Sequence, residues 1–193
     1  MFAVVSMPKA KSRGRESLTG GSGDVNPQWM NFENTATTPG VTQTWAYNVP
    51  VNRLPTANGR SAVIEVLKAQ FEYGDFPPMV AGEATHYCCQ VLSTRDHGVA
   101  AANSTASDVF AYDAQEIQGA FTAAGSYSSG TNSHVVEHDY TDGAGHGVLI
   151  ATDVIYAQLQ GTAPFAEYLF VKLLYRVKNV TLLEYLGIVQ SQQ

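Results

Sequence analysis

Residues 61–73 read SAVIEVLKAQFEY, and the assignment of this stretch decides the fold. Apolar Val63, Val66 and Ala69 alternate only imperfectly with charged Glu65 and Lys68, a spacing that also fits one face of a helix. The flanks favour a strand. Asn58-Gly59 and Pro77-Pro78 are turn signals on either side, and the stretch has the length of one long strand between them.

Working outward, the texture from Val41 onward is runs dense in β-branched and aromatic residues separated by Gly, Pro, Asn and Asp clusters. Strands are expected at 42–49, 61–73, 85–93, 109–112, 117–123, 134–140, 147–160, 168–177 and 182–189. Small-residue loops are expected at 97–106 and 124–133, placed at subunit contacts or on the outer surface. No convincing amphipathic helix separates the strands, so βαβ units are not expected. About eight strands then make an all-β fold of two packed antiparallel sheets, and long strands with long loops suit a single jelly-roll β-sandwich better than an immunoglobulin-type one.

A chain of 193 residues, 45 % hydrophobic, can bury one sizeable core. Only 15 % of residues are charged, against roughly 25 % in an ordinary soluble domain. An unusual share of the surface must therefore be uncharged, as in a protein covered by neighbours. Residues 8–40 are poor in large apolar side chains, which predicts a flexible basic arm and an extended lead-in over 1–40 ahead of a shell domain over 41–193. Translation starting at Met1 or at Met7 fits this division equally.

Charge is unevenly placed. Lys9, Lys11, Arg13 and Arg15 lie in one stretch opposed only by Glu16, while residues 24–193 carry seven basic and sixteen acidic residues, a net charge of −9. The body is thus a poor surface for nucleic acid, whereas the arm can neutralise phosphates weakly and without sequence preference. A second basic row is expected on the strand YLFVKLLYRVK (168–178), where the two-residue period puts Lys172, Leu174, Arg176 and Lys178 on one face. These seven cations are the candidate nucleic-acid contacts.

Enzyme signatures are weak. His134-Val-Val-Glu137-His138 matches the H-x-x-E-H of inverted zinc peptidases, but that chemistry needs a helix. On a strand the two histidines lie about 13 Å apart, too far for one zinc ion. Asp139 and Asp142 beside a Gly-rich turn could hold a structural divalent cation at a subunit contact, although turn chemistry explains the same residues. No phosphate loop, nucleophile elbow, dinucleotide fingerprint or H-x-H pair of the cupin kind occurs, so neither catalysis nor a cofactor is expected. Cys88 and Cys89 are adjacent, which predicts two thiols on opposite faces of a strand rather than a disulfide. No signal peptide and no apolar run of membrane-spanning length is read, so neither secretion nor a membrane partner is expected.

The segments GVLIATDVIYAQ (147–158), VKLLYRVKNV (171–180), EYLGIVQSQQ (184–193) and GRSAVIEVLK (59–68) resemble the capsid proteins of small circular Rep-encoding single-stranded DNA viruses known from marine and invertebrate samples. The resemblance covers about a third of the chain and rests on strand-like sequence. It implies a jelly roll that self-assembles into a small icosahedral shell around single-stranded DNA, an arm facing the genome, and a place in the virion and in the host cell during assembly. The arm here is shorter than the Arg-rich arms of many relatives. The competing reading from the residues is a β-sandwich carbohydrate-binding module, with Trp29 and Trp45 as the stacking candidates.

Overall fold

The computed structural model describes residues 26–51, 59–74, 85–118, 134–161 and 167–192. The cations Lys9, Lys11, Arg13 and Arg15 and the expected loop 124–133 lie outside the described residues. Nine strands and one helix are seen among the described residues: β1 Gln28–Thr35, β2 Gln43–Asn48, β3 Arg60–Tyr73, β4 Thr85–Ser93, β5 Val109–Gln118, β6 His134–Asp139, β7 Val148–Ile150, β8 Val154–Gly161, β9 Tyr168–Thr181 and α1 Leu182–Ser191.

The first sheet runs β1-β9-β3-β6, with β7 also on β3, and the second runs β2-β8-β4-β5, all pairs antiparallel. The chain crosses from one sheet to the other at every step except β4 to β5 and β6 to β7. This interleaved order over two sheets is the double Greek key of a jelly roll. The inner faces meet in one core that includes Phe32, Ile64, Phe71 and Leu173 from the first sheet and Leu92, Ile155 and Leu159 from the second.

The imperfect alternation of residues 61–73 has a structural cause. The β3–β9 ladder shifts register between Val66 and Lys68, so Leu67 is an extra residue in β3. Ile64 and Val66 point inward before it and Ala69, Phe71 and Tyr73 after it. The bulge thereby keeps apolar residues in the core on both sides of a change of parity.

Four sequence expectations are corrected. Gln28–Thr35, inside the stretch read as a lead-in too poor to supply a core element, is β1 and contributes the fully buried Phe32. The expected pair 109–112 and 117–123 is one strand, β5, as far as Gln118, with 119–123 outside the described residues. The expected strand 147–160 is two, because Ala151, Thr152 and Asp153 carry the chain from the first sheet into the second.

The expected last strand, 182–189, is the helix α1. Thr181 caps it: its hydroxyl accepts from the Glu184 amide, and the Glu184 carboxylate accepts from the Thr181 amide at 2.8 Å. The apolar residues follow a helical period, with Tyr185, Ile188 and Val189 packed on buried Val63, Ala151 and Val180. Thr181→Ala is expected to cost about 1 kcal/mol, read as a lowered urea midpoint with unchanged slope.

Candidate functional site

The two outer faces of the sandwich are treated differently. On the second sheet, outward Gln158 and Gln160 of β8 are buried because residues 97–102 lie over them. Gln158 donates to the Ala100 carbonyl at 2.8 Å and accepts from the Ala102 amide at 2.8 Å, and Gln160 donates to the Ala102 carbonyl at 3.1 Å. Ala102 closes a small apolar cluster with Cys89, Val91, Val109 and Tyr112. His97 meets Asp108 at 2.6 Å across the same loop. The loop expected at 97–106 thus packs on its own sheet, leaving Val99 exposed at its tip.

Cys88 faces the main core and Cys89 this outer cluster, both as free thiols, so the opposite-face expectation holds. Burial pushes the Cys89 thiol up to about 11 and the Cys88 thiol higher still, which removes either as a nucleophile near neutral pH.

Among the described residues, α1 covers one end of the first sheet's outer face and nothing covers the rest. The antiparallel registers set its rows: Trp29, Leu174, Lys68 and Asp139 in one, Asn31, Lys172, Gln70 and Glu137 in the next. Lys68 pairs with Glu137 at 2.6 Å, and Gln70 donates to the same carboxylate at 2.8 Å. Such exposed pairs set charge pattern more than stability.

Deeper in the same face, Glu65 is fully buried. Its carboxylate accepts from Arg176 Nε, from Lys178 Nζ at 3.3 Å and from the Gly147 amide at 3.2 Å, with His146 Nδ1 at 3.7 Å. Burial alone would raise its pKa. The hydrogen bonds from Arg176, Gly147 and Lys178 outweigh that, and the carboxyl titrates below its usual value. A depressed folded-state pKa contributes stability that is present above the unfolded value, 4.5, and lost as the pH falls through the folded one. Thermal scans are therefore expected to show melting temperature dropping below about pH 4.5, with Glu65→Gln flattening that limb.

Two of the three cations expected on β9, Arg176 and Lys178, thus face a buried carboxylate, and Lys172 is the exposed one. The outer face carries Glu33, Glu65, Glu72, Glu137 and Asp139 against Lys68, Lys172, Arg176 and Lys178, so its charges nearly balance with a slight acidic excess.

The zinc and cation patterns also come apart. Glu137 points outward to Lys68, while His138 points inward to Asp113 of β5 at 2.9 Å, so the two do not share one metal. Asp139 accepts from the Thr141 amide and hydroxyl, and Asp142 from the amides of Ala144 and His146, which makes them turn-closing residues. Among the described residues no group of three or more His, Cys, Asp or Glu is placed to hold a metal. No described helix is long and apolar enough to cross a membrane.

Two features of the face were missed in the sequence. After the pair Phe71–Val171 the strands β3 and β9 stop pairing, and a cavity of about 190 Å3 opens, lined by Glu33, Gln70, Glu72, Val135, Phe170 and Lys172. Across the core, Gln90 of β4 donates to the Glu72 carbonyl at 2.9 Å and accepts from the Phe170 amide at 3.1 Å. One side-chain amide thereby spans the two strands where their own ladder ends. The signal available was a lone glutamine in the apolar run THYCCQVLS.

Comparison with solved structures returns polyomavirus VP1 proteins. The chain superposes on the human polyomavirus 7 VP1 pentamer structure with a TM-score of 0.50 at 12 % identity, covering 79 % of this chain and 96 % of that one. The likeness is one of fold. Human polyomavirus 6 VP1 gives 0.47 at 12 % identity over 79 % and 95 %. The VP1 of Trichodysplasia spinulosa-associated polyomavirus, in complex with GM1 oligosaccharide, gives 0.48 at 8 % over 80 % and 95 %. No family profile and no curated protein matches the chain.

Proposed function

We propose that this chain is the subunit of a viral capsid, a structural protein without catalytic activity that self-assembles into an icosahedral shell around single-stranded DNA. The observation that carries the reading is the interleaved strand order β1-β9-β3-β6 over β2-β8-β4-β5, a jelly roll shared in fold with the polyomavirus 7 pentamer subunit. The surface supports it. Leu182 is 51 %, Leu183 82 % and Leu186 49 % exposed, an apolar stripe on α1 whose cover would be a neighbouring copy. DNA contact, independent of sequence, belongs in this reading to Lys9, Lys11, Arg13 and Arg15, with Lys172 auxiliary and Arg176 and Lys178 engaged with Glu65. Its place is the virion, and the host cell during assembly.

Negative-stain microscopy of the purified protein, with the nucleic-acid-to-protein absorbance ratio on the same fraction, tests both parts. Uniform closed particles support the shell, and a raised ratio lost on neutralising the four arm cations supports the genome contact. A monodisperse monomer across salt and pH overturns the capsid reading.

The carbohydrate-module reading keeps one specific observation. Trp45 lines an open groove of about 400 Å3 with Thr37, Thr42, Thr44 and Asp96, an aromatic ring among hydroxyls and a carboxylate. Trp45 also packs against the core, as an anchoring residue does, whereas Trp29 is 48 % exposed on the open sheet face. Quenching of tryptophan fluorescence by neutral sugars in a monomeric protein, abolished by Trp45→Ala, would decide for the module.

A further inference from the structure

The cavity between β3 and β9 is a built feature. It forms where the ladder ends, and Gln90 holds Glu72 and Phe170 in place from within the core. Its polar lining has a sign. Glu33 of β1 is the register partner of Phe170, Glu72 stands on the β3 side, and both are exposed. Phe170 lies between them with Tyr168 stacked on it at 5.8 Å. Lys172 enters from one end, leaving two carboxylates against one ammonium around an aromatic ring. A cation on a long stem fits this chemistry, because a guanidinium or ammonium gains both from the ring face and from flanking carboxylates.

The chain carries such cations close by. Lys9, Lys11, Arg13 and Arg15 precede β1, the strand that supplies Glu33. Thirteen residue-to-residue steps lead from Arg15 to Gln28, a reach of up to about 43 Å, while Glu33 lies about 17 Å along β1 from Gln28. The span is short enough to be met within one chain, where tethering supplies an effective concentration on the order of millimolar. Residues 24–193 have a net charge of −9, so the basic segment meets opposite charge on its own body before it meets a polyanion.

We propose that the β3–β9 cavity is the docking site of the chain's own basic segment, with a lysine or arginine of residues 9–15 seated against Phe170 between Glu33 and Glu72. Docking itself stands apart from the capsid reading. Its consequence rests on that reading: an undocked segment is what the genome captures, so the face competes with DNA and shields the free subunit from adventitious polyanions.

The test uses the full chain in an equal mixture of nitrogen-14 and nitrogen-15 protein, treated with a zero-length carbodiimide that joins carboxylates to amines, followed by mass spectrometry. Lys9 and Lys11 should be found joined to Glu33 and Glu72 in preference to Glu116 of β5 and Asp96 of the loop after β4, within single-isotope pairs, and the products should fade in about 0.5 M salt. Phe170→Ala should lower the yield about two- to fivefold, the loss of one exposed cation–π contact. Lys172→Glu, an exposed change that leaves the core untouched, should raise it. Cross-links spread evenly over carboxylates, mixed-isotope pairs only, or yields indifferent to Lys172→Glu would overturn the proposal. Binding of an oligothymidylate is measured in parallel. Affinity unchanged on neutralising the four arm cations defeats the genome-contact reading and leaves the cross-links to decide docking.

Discussion

Glu65→Ala is expected to destabilise the protein by about 3–5 kcal/mol, the range for removing one partner of a buried ion pair. The carboxylate is fully buried and satisfies Arg176, Lys178 and the Gly147 amide together, with His146 beside it. Alanine leaves two half-buried cations side by side on β9 with their counter-charge on β3 gone. It also frees the loop between β6 and β7, because Gly147 is held to Glu65 and the Gly145 carbonyl to Arg176 at 3.3 Å. A Cβ at Gly147 would stand 1.9 Å from the Val66 carbonyl oxygen, so the loop sits against β3 too closely there for any residue but glycine.

Urea titration gives the number. With a slope of about 2 kcal/mol/M the midpoint should fall by roughly 2 M, and amide exchange at Gly147 should accelerate more than at Phe71 in the core. Replacing the ions together as Glu65→Leu with Arg176→Met should recover much of the loss, since an apolar substitute carries no desolvation penalty. A shift of less than about 1 kcal/mol for Glu65→Ala, the range of an exposed pair, would mean that water reaches the cluster and that the buried geometry is not the one in solution.

What was legible in the sequence follows from how each element is stabilised. Strands with one face in the core announce themselves by composition and turns, and the expected strand 85–93 coincides with Thr85–Ser93. The bulge at Leu67 was visible only as broken alternation, because parity changes where the chain inserts a residue and the sequence does not say which. The helix α1 was misread since a short apolar run fits either period. The Thr181-x-x-Glu184 capping box was the discriminating signal and lay in plain view. The break between β7 and β8 depends on a change of sheet, a long-range fact with no local mark beyond Ala151-Thr152-Asp153.

The candidate site was less legible than the fold. Lys172, Arg176 and Lys178 were correctly placed on one face by period, yet their partner Glu65 sits on another strand, and only the register makes Arg176 its neighbour. The first sheet's cavity depends on where a ladder stops, and the buried glutamines depend on what covers or crosses them. Gln158 and Gln160 stand on an outward face and are buried because residues 97–102 lie above. Polar side chains inside an apolar strand are a readable warning that a backbone elsewhere lacks a partner.

Gln90→Leu carries that argument to a measurable end. Leucine is close in volume and more apolar, so a core counted by hydrophobic area alone would gain. The Glu72 carbonyl and the Phe170 amide, however, have reached the end of the β3–β9 ladder, and Gln90 is the partner seen on each. Each part-buried group left unpaired costs up to about 1–3 kcal/mol, and the expected loss for the pair is about 2–4 kcal/mol after the apolar gain. Gln90→Glu separates the two bonds. A carboxylate still accepts from Phe170 but turns a second acceptor on Glu72, and only its protonated form can donate there. Burial raises the folded-state pKa of such a glutamate, so its destabilisation is present above that pKa and relieved as the pH falls through it. The glutamate variant should therefore approach the parent protein in stability on acidification while the leucine variant keeps its full deficit. Parallel behaviour of the two would show that the bridge from β4 does not hold the split between β3 and β9, and the cavity's fixed shape would lose its support.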